Sequence, residues 1–281
     1  MIRKSAIATT TLLLLAVPLT WAQERAIRPL ETNNRRHRKA SMSPRPPQKS
    51  DSTEDLSLML AHFDACYVVN QDSDIVCVND WIKSAAPALW VGFTSGGTIW
   101  RFHKDVPPNV REQTEALLLK ESFEDREAEF PAKDSEYRRL FPAHGAKAGP
   151  TYWMPLSPTR SSRDSRPVSS RDQSLLEGTQ LSPWIPDIPH QQPMFVSLDS
   201  GKAVSICASV RITETAHVAG VETSVGFRRQ GRGSDVVVAW ATEVIASGAT
   251  AFYSTSWQNQ ASRCLARRVG FRRFGWEYSV G

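Results

Sequence analysis

Residues 219–234 read Ala219-Gly-Val-Glu-Thr-Ser-Val-Gly-Phe-Arg-Arg-Gln-Gly-Arg-Gly-Ser234 and combine three features in one short stretch. Apolar and β-branched residues predict a strand, a loop rich in glycine and arginine follows, and the loop opens a helix. Glycines let the backbone approach an anion closely, and the first amides of a helix point at it with the positive end of the helix dipole. The stretch therefore predicts a phosphate-binding turn.

The residues on both sides of this loop predict a regular series of elements. Upstream strands are predicted over residues 194–198, 203–212 and 220–225. Downstream, the pattern predicts a helix over 234–247 that Gly248 ends, a strand over 251–257, a helix over 259–269 capped by Asn259 and stopped by Gly270, and a strand over 271–280. The order from residue 194 is therefore β-β-β-loop-α-β-α-β.

Composition limits the class of protein. The 281 residues are 41% hydrophobic and include nine tryptophans, which is typical of a folded chain. The formal net charge is +5, but residues 24–50 hold eight Arg or Lys against two Glu, and Arg3 and Lys4 add to this excess. The remainder is slightly acidic, so the charge does not predict a nucleic-acid surface on the folded part.

The amino-terminal region divides into two segments. Residues 1–22 have the charged start, apolar run and small residue of a secretory signal, and the run is too short and too rich in threonine for a stable membrane span. The alternative is an upstream mis-start, with Met42 as one possible true beginning. Residues 23–55 form a basic linker without apolar periodicity, which predicts disorder. Its arginines are interpreted as a charged stretch exposed to solvent, and contact with nucleic acid is the alternative.

Residues 56–125 predict a small lobe built from a short helix, two β-hairpins and a second helix that Asn109 caps. Residues 126–192 predict a connector. Within it, residues 157–172 alternate Ser, Arg and Asp and predict a disordered surface insertion, and prolines between 183 and 193 predict an extended segment. Residues 193–281, which contain the loop and the elements around it, are predicted to form the last domain.

The four cysteines lie far apart, with no Cys-x-x-Cys motif and no histidine at ligand spacing, so no metal site is predicted. Cys207 and Cys264 lie in apolar sequence and are predicted to be buried thiols. Cys66 and Cys77 flank a predicted hairpin, where they are placed to pair if the compartment is oxidising.

Two motifs of the carboxyl-terminal part resemble those of the GNAT superfamily of acyl-CoA-dependent N-acetyltransferases. Within it, the chain resembles a bacterial-type subgroup that has an extra amino-terminal lobe. The two motifs are Gln230-Gly-Arg-Gly-Ser-Asp235 after a strand and Asn259-Gln-Ala-Ser-Arg-Cys-Leu-Ala-Arg-Arg-Val-Gly-Phe271, and the resemblance covers about residues 193–281. It implies an α+β fold with a mixed, mostly antiparallel central sheet flanked by helices, preceded by the small hairpin-rich lobe.

The resemblance implies that the loop holds the pyrophosphate of acetyl-CoA. The loop motif fits in two registers, from Gln230 to Gly233 or from Arg228 to Gly233, and Asp235 departs from the small residue that the first register expects. Backbone amides near Ser224 and Val225 are implied to pair with the pantetheine arm or the acetyl carbonyl. The implied cofactor-binding residues are Ser224, Val225, Arg228, Arg229, Gln230, Gly231, Arg232, Gly233, Ser234 and Asn259.

The implied general base is Glu222, on the strand before the loop, although an outward-facing strand glutamate is the alternative interpretation. Many relatives carry a tyrosine acid on the last helix, seven residues after the asparagine, where this chain has Ala266. Ser262 or Tyr253 is the candidate acid in its place, and solvent is the third possibility.

The resemblance implies direct transfer of an acetyl group from acetyl-CoA to a small-molecule or peptide amine in a ternary complex, without a metal. CoA chemistry implies the cytoplasm, and export is the alternative if residues 1–22 are a genuine signal. A second function remains open: a catalytically weak or inactive CoA-binding or regulatory module on the same scaffold.

Overall fold

The computed structural model describes residues 52–121, 130–158 and 165–281. The predictions for residues 1–51, and those for 122–129 and 159–164, lie outside the described residues. The helices are α1 (Ser52–Cys66), α2 (Pro108–Leu118), α3 (Asp134–Leu140), α4 (Arg232–Ala246) and α5 (Gln260–Val269). The strands are β1 (Tyr67–Val69), β2 (Ile75–Val78), β3 (Leu89–Thr94), β4 (Gly97–Phe102), β5 (Ala146–Trp153), β6 (Ser165–Pro167), β7 (Met194–Asp199), β8 (Lys202–Ile212), β9 (Ala216–Thr223), β10 (Thr250–Ser254) and β11 (Arg272–Val280).

Nine of the described strands form one sheet in the order β4-β3-β11-β5-β10-β9-β8-β7-β6. All neighbouring pairs are antiparallel except β9 and β10, which run parallel. Strands β1 and β2 pair with each other as a separate hairpin. The predicted fold class, a mixed and mostly antiparallel sheet with flanking helices and an amino-terminal hairpin, is confirmed.

The second amino-terminal hairpin, β3–β4, belongs to the large sheet. Strand β3 pairs with β11 along six residues, and the rings of Phe93 and Trp276 stack with their centroids 4.0 Å apart. The amino-terminal and carboxyl-terminal parts of the described chain therefore share one sheet. Helix α2 begins at Pro108, and its cap position is Pro107 without a side-chain hydrogen bond, so the prediction of Asn109 as the cap was wrong.

Strand β5 lies near the centre of the sheet, between β11 and β10, although the sequence predicted only a connector there. Its Ala-Lys-Ala-Gly-Pro-Thr-Tyr-Trp sequence contains few strand formers, so periodicity could not reveal it. At Gly149, a residue without a side chain is required by a close contact. A β-carbon there would lie 1.7 Å from the carbonyl oxygen of Thr255, which means that another chain segment occupies the side-chain space.

The described part of the predicted insertion is ordered, so the prediction of disorder was wrong for residues 165–172. Strand β6 pairs with β7, and Ser169 and Asp172 form a reciprocal capping box at a 3-10 helix over Ser170–Leu175. A second 3-10 helix, Ser182–Asp187, replaces the predicted extended segment. Both helices are anchored by apolar side chains that are fully buried with those of β7 and β8: Leu176, Leu181 and Ile188.

The two faces of the sheet carry different elements, and we name them after their helices. The α4 face carries α4 and α5, and its buried side chains include Cys207, Trp240 and Tyr253. The α1 face carries α1 and the two 3-10 helices, and its buried side chains include Ile206 and Phe252. Successive residues of a strand alternate between these faces.

The loop-helix-strand-helix-strand series after β9 follows the prediction closely. Gly248 and Gly270 follow the ends of α4 and α5 with φ of 89° and 111°, which glycine adopts without strain. The side chain of Asn259 accepts a hydrogen bond from the Ser262 amide, so the predicted cap is confirmed.

The four cysteines are free thiols, and Cys264 is exposed, contrary to its predicted burial. Among the described residues, no helix has both the length and the apolar character that crossing a membrane requires. The same residues hold no cluster of His, Cys, Asp and Glu suited to a metal ion.

Candidate functional site

The parallel strands β9 and β10 separate toward their carboxyl ends. They pair only through residues 216–218 of β9 and 250–252 of β10, whereas β9 continues to Thr223. Residues 219–223 therefore have a sheet neighbour, β8, on one side only. This leaves an opening in the sheet, followed directly by the loop that leads into α4.

The open edge of β9 presents backbone groups that no neighbouring strand pairs. The amide of Ser224 donates to the carbonyl of Val204 on the β8 side, at 2.9 Å. Because N–H groups alternate in direction along an extended chain, those of Thr223 and Val225 point the other way, toward the opening. Of the two amides predicted near this point, that of Ser224 is engaged within the sheet, and that of Val225 is the donor directed toward the opening.

Two side chains of the protein itself cover this edge. The Val225 amide donates to Oε1 of Gln180 at 2.9 Å, and Nε of Arg228 donates to the Thr223 carbonyl at 3.1 Å. Gln180 lies 45 residues earlier in the chain, before the second 3-10 helix. A carboxamide and a guanidinium thus occupy positions where a neighbouring strand or a ligand would bind.

The loop itself depends on unusual backbone conformations. Gly231, the residue before α4, has φ of 87°, and Arg229 has φ of 61° with its side chain exposed. The side chain of Gln230 donates to the Gly226 carbonyl at 2.9 Å and closes the loop on itself. A β-carbon at Gly226 or Gly231 would meet no atom within 4 Å, so space lies beside both residues.

The first turn of α4 lies against the end of β9. A β-carbon at Gly233 would approach the Thr223 hydroxyl to 3.1 Å, so the helix start and the strand end meet closely. The first amides of a helix have no acceptor within it, and they carry the positive end of its dipole. Ser234 and Asp235 are buried, so the carboxylate of Asp235 is turned into the protein.

The side chain of Arg232 points toward β7. Its Nη1 donates to the Ser197 hydroxyl at 3.1 Å, and its Nη2 lies 3.9 Å from a carboxylate oxygen of Asp199. Arg232 thus ties the helix start to the sheet, whereas Arg228 and Arg229 are the exposed arginines of the loop.

Glu222 lies on the α1 face, because it pairs with Ile206 across β8 and β9 and opposed residues share a face. Its side chain is exposed, and Oε2 accepts a hydrogen bond from the indole N–H of Trp184 at 2.7 Å. The indole ring also covers β9, because a β-carbon at Gly220 would lie 3.0 Å from its edge. Trp184 therefore orients the carboxylate.

Tyr253 and Ser262 lie on the α4 face. Their hydroxyls are 2.5 Å apart, which links β10 to the first turn of α5. Burial raises the pKa of Tyr253 to about 12, and the hydrogen bond to Ser262 opposes this only in part. Tyr253 therefore keeps its proton at neutral pH. Ala266, which stands where the resemblance implied a tyrosine, is fully buried in the core.

The structure brings most of the predicted site residues around one opening. Glu222 is on one face, Tyr253 and Ser262 are on the other, and the loop and the start of α4 stand at the end of β9. Sequence reasoning missed Gln180 and Trp184, which belong to the segment predicted as a connector. No local motif marks either residue, because each contact is distant in sequence. Gln180 contacts Val225, 45 residues later, and Trp184 contacts Glu222, 38 residues later.

These features define a class of protein: a mixed sheet that opens between two parallel strands, with a glycine-rich loop and a helix amino terminus at the opening. Residues 196–280 match the family model described as FR47-like protein, which is GNAT-related. The predicted resemblance to the GNAT superfamily is confirmed over these residues.

Three solved structures are among those similar to this chain. A GNAT-family protein from Novosphingobium aromaticivorans is 13% identical with a TM-score of 0.39, over 48% of this chain and 64% of that one. A GCN5-related N-acetyltransferase-like protein from Streptococcus suis is 10% identical with a TM-score of 0.43, over 70% and 85%. An acetyltransferase of the GNAT family from Colwellia psychrerythraea is 12% identical with a TM-score of 0.44, over 82% and 97%.

This chain spans less than two thirds of the Novosphingobium protein's length. A comparison with curated proteins gives no significant match.

Proposed function

We propose that the protein transfers an acetyl group from acetyl-CoA to the nitrogen of a small-molecule or peptide amine, in a direct ternary complex. The observation that supports this most is the open edge of β9, which leads into a glycine-rich loop and the amino terminus of α4. Hydrogen-bonding groups along an extended edge suit an amide-containing arm, and the loop and helix start suit a pyrophosphate.

The residues present fit such a donor. Val225 and the edge of β9 would hold the pantetheine arm, and the start of α4 with Gly231 and Gly233 would hold the pyrophosphate. Arg228 and Arg229 would add positive charge, and Asn259 stands at the start of α5 across the opening. Asp235, which departs from the small residue expected there, is buried in the first turn of α4.

Acetyl-CoA would supply a thioester, which has an electrophilic carbon and a thiolate leaving group. Glu222 would take the proton that the amine nitrogen loses as the new C–N bond forms, directly or through water. Tyr253, protonated and hydrogen-bonded to Ser262, would give its proton to the sulfur as the C–S bond breaks, and solvent would return that proton. Because these groups lie on opposite faces, the amine would approach from the α1 face and the donor from the α4 face.

Binding of acetyl-CoA is the first test. The purified full chain is expected to unfold at a higher temperature with millimolar acetyl-CoA, because a ligand at about 100 times its Kd adds about 2.7 kcal/mol to the free energy of unfolding. Gly231→Asp and Gly233→Asp should abolish the shift through repulsion at the pyrophosphate. A wild-type protein that acetyl-CoA does not stabilise would contradict the proposal.

A second function is a CoA-binding module without efficient catalysis. Two observations favour it: α5 carries Ala266 where relatives have a tyrosine, and the carboxylate of Glu222 is already hydrogen-bonded to Trp184. Stabilisation by acetyl-CoA without acetylation of any amine in a broad panel would support this module over the enzyme.

A further inference from the structure

The hydrogen bond between Gln180 and Val225 stands out among the contacts of the loop. The neighbouring amides are satisfied locally: Ser224 donates to Val204 in the sheet, and Phe227 donates to Ser224 in the turn. The Val225 amide instead has an acceptor from a side chain that is exposed and distant in sequence. An exposed glutamine loses little on release, because water can replace its partner.

The acceptor atom is also informative. Oε1 of Gln180 is an amide carbonyl oxygen, the same kind of acceptor that the secondary amides of a pantetheine arm would present to this N–H. The side chain of Gln180 therefore resembles the group that the open edge of β9 is built to bind. The 3-10 helix that follows is anchored by buried Leu181 and Ile188, so the segment can stay in place while one exposed side chain rotates away.

We propose that Gln180 is an affinity-determining residue of the acyl-donor site: its carboxamide occupies the Val225 amide, and the donor's own carbonyl has to displace it. This inference rests on the proposed function. We therefore expect the wild-type protein to bind CoA more weakly than a variant without the Gln180 side chain. CoA has to break the Gln180–Val225 hydrogen bond before it can form its own, and this lowers the net binding free energy.

The test is the affinity of Gln180→Ala for CoA, measured by isothermal titration calorimetry on the full chain. The variant should bind CoA about threefold to tenfold more tightly than wild type, the range expected for one competing hydrogen bond. Gln173→Ala is the matched control, because Gln173 is an exposed glutamine on the preceding 3-10 helix. It should bind like wild type.

The direction in which the affinity for CoA changes distinguishes two roles of the Gln180–Val225 hydrogen bond. If Gln180 only braces the loop, its removal leaves the Val225 amide unpaired and CoA binds more weakly. Equal or weaker binding by Gln180→Ala, with wild type binding CoA, overturns this inference and leaves the proposed function intact. Failure of wild type and Gln173→Ala to bind CoA overturns the proposed function, and this inference with it.

A second measurement follows the side chain directly. In two-dimensional NMR spectra of the ¹⁵N-labelled protein, addition of CoA should move the Val225 amide signal and bring the side-chain amide signals of Gln180 toward those of free glutamine. Gln180 signals that stay unchanged at saturating CoA would show that the contact persists, and this would overturn the inference.

Discussion

Glu222 and Tyr253 have different surroundings, and the difference suits different chemical roles. Glu222 is exposed on the α1 face and accepts one hydrogen bond, so water and an amine can reach its carboxylate. Tyr253 is buried on the α4 face, and burial raises its pKa to about 12. A carboxylate open to solvent can accept a proton from an amine, and a hydroxyl that keeps its proton at neutral pH has one to give, although the raised pKa makes it a weaker acid.

Replacement of Glu222 tests the role of the base. Glu222→Gln keeps the size of the side chain and an oxygen for the Trp184 indole, but it removes the proton acceptor. We expect kcat/KM for an amine that the wild type acetylates to fall about 100-fold or more, in the range of a lost general base. The affinity for CoA, measured by calorimetry, should stay the same.

Glu214→Gln is the control for this variant, because Glu214 is an exposed carboxylate in the turn between β8 and β9. It should retain wild-type turnover. Wild-type turnover in Glu222→Gln would show that Glu222 is an outward-facing strand residue, the alternative left open by the sequence.

At the scale of elements, the position of β5 beside β10 depends on a glycine. The chain after β10 lies so close to β5 that the Thr255 carbonyl oxygen occupies the place of a side chain at Gly149. We expect Gly149→Ala to lower the free energy of unfolding by about 2 kcal/mol or more, because backbone atoms cannot yield as a flexible side chain can. Urea unfolding, followed by circular dichroism, measures this change.

Gly145→Ala is the matched control. Gly145 precedes the same strand, and a β-carbon there would lie 3.9 Å from its nearest contact, which is ordinary van der Waals distance. If Gly149→Ala lowers the free energy of unfolding no more than Gly145→Ala does, the segment after β10 does not lie against Gly149.

The carboxyl-terminal elements could be predicted from sequence because their signals are local. Residues after 193 show alternation in strands, helical spacing in α4, and caps at Asn259, Gly248 and Gly270, and each of these patterns spans only a few residues. Strand β5 could not be predicted, because its stability comes from two neighbours distant in sequence rather than from its own residues. The same holds for Trp184 and Gln180, whose roles depend on β9, 38 and 45 residues away.

For the whole molecule, the opening between β9 and β10 joins the two faces of one large sheet. The amino-terminal region supplies α1 and the 3-10 helices of the α1 face, together with α2 and α3, which pack on β3 and β11, and the carboxyl-terminal region supplies α4 and α5. The part that matches the family model therefore provides the proposed donor side, whereas residues before 196 provide much of the proposed acceptor side. Acceptor specificity should accordingly change with substitutions in the 3-10 segment more than with substitutions in α5.

The buried tyrosines and cysteines predict how stability of the whole protein depends on pH. Burial raises the pKa of Tyr67, Tyr137, Tyr278 and Cys207 in the same direction as that of Tyr253. A group with a raised pKa in the folded state keeps its proton there after the unfolded chain has lost it. Stability is therefore complete below the unfolded pKa values, which are about 8.5 for cysteine and about 10 for tyrosine, and it falls as pH rises beyond them.

We expect the urea midpoint of unfolding to be nearly constant from about pH 7 to pH 8 and to fall steeply above about pH 9 to 10. Tyr253→Phe isolates one contribution. Its midpoint should fall less steeply than that of wild type above about pH 10, because only the wild type has a phenol at this position that ionises in the unfolded chain and stays protonated in the fold. Parallel curves for the two proteins would show that the Tyr253 hydroxyl ionises equally in both states, which would contradict a raised pKa of Tyr253 in the fold.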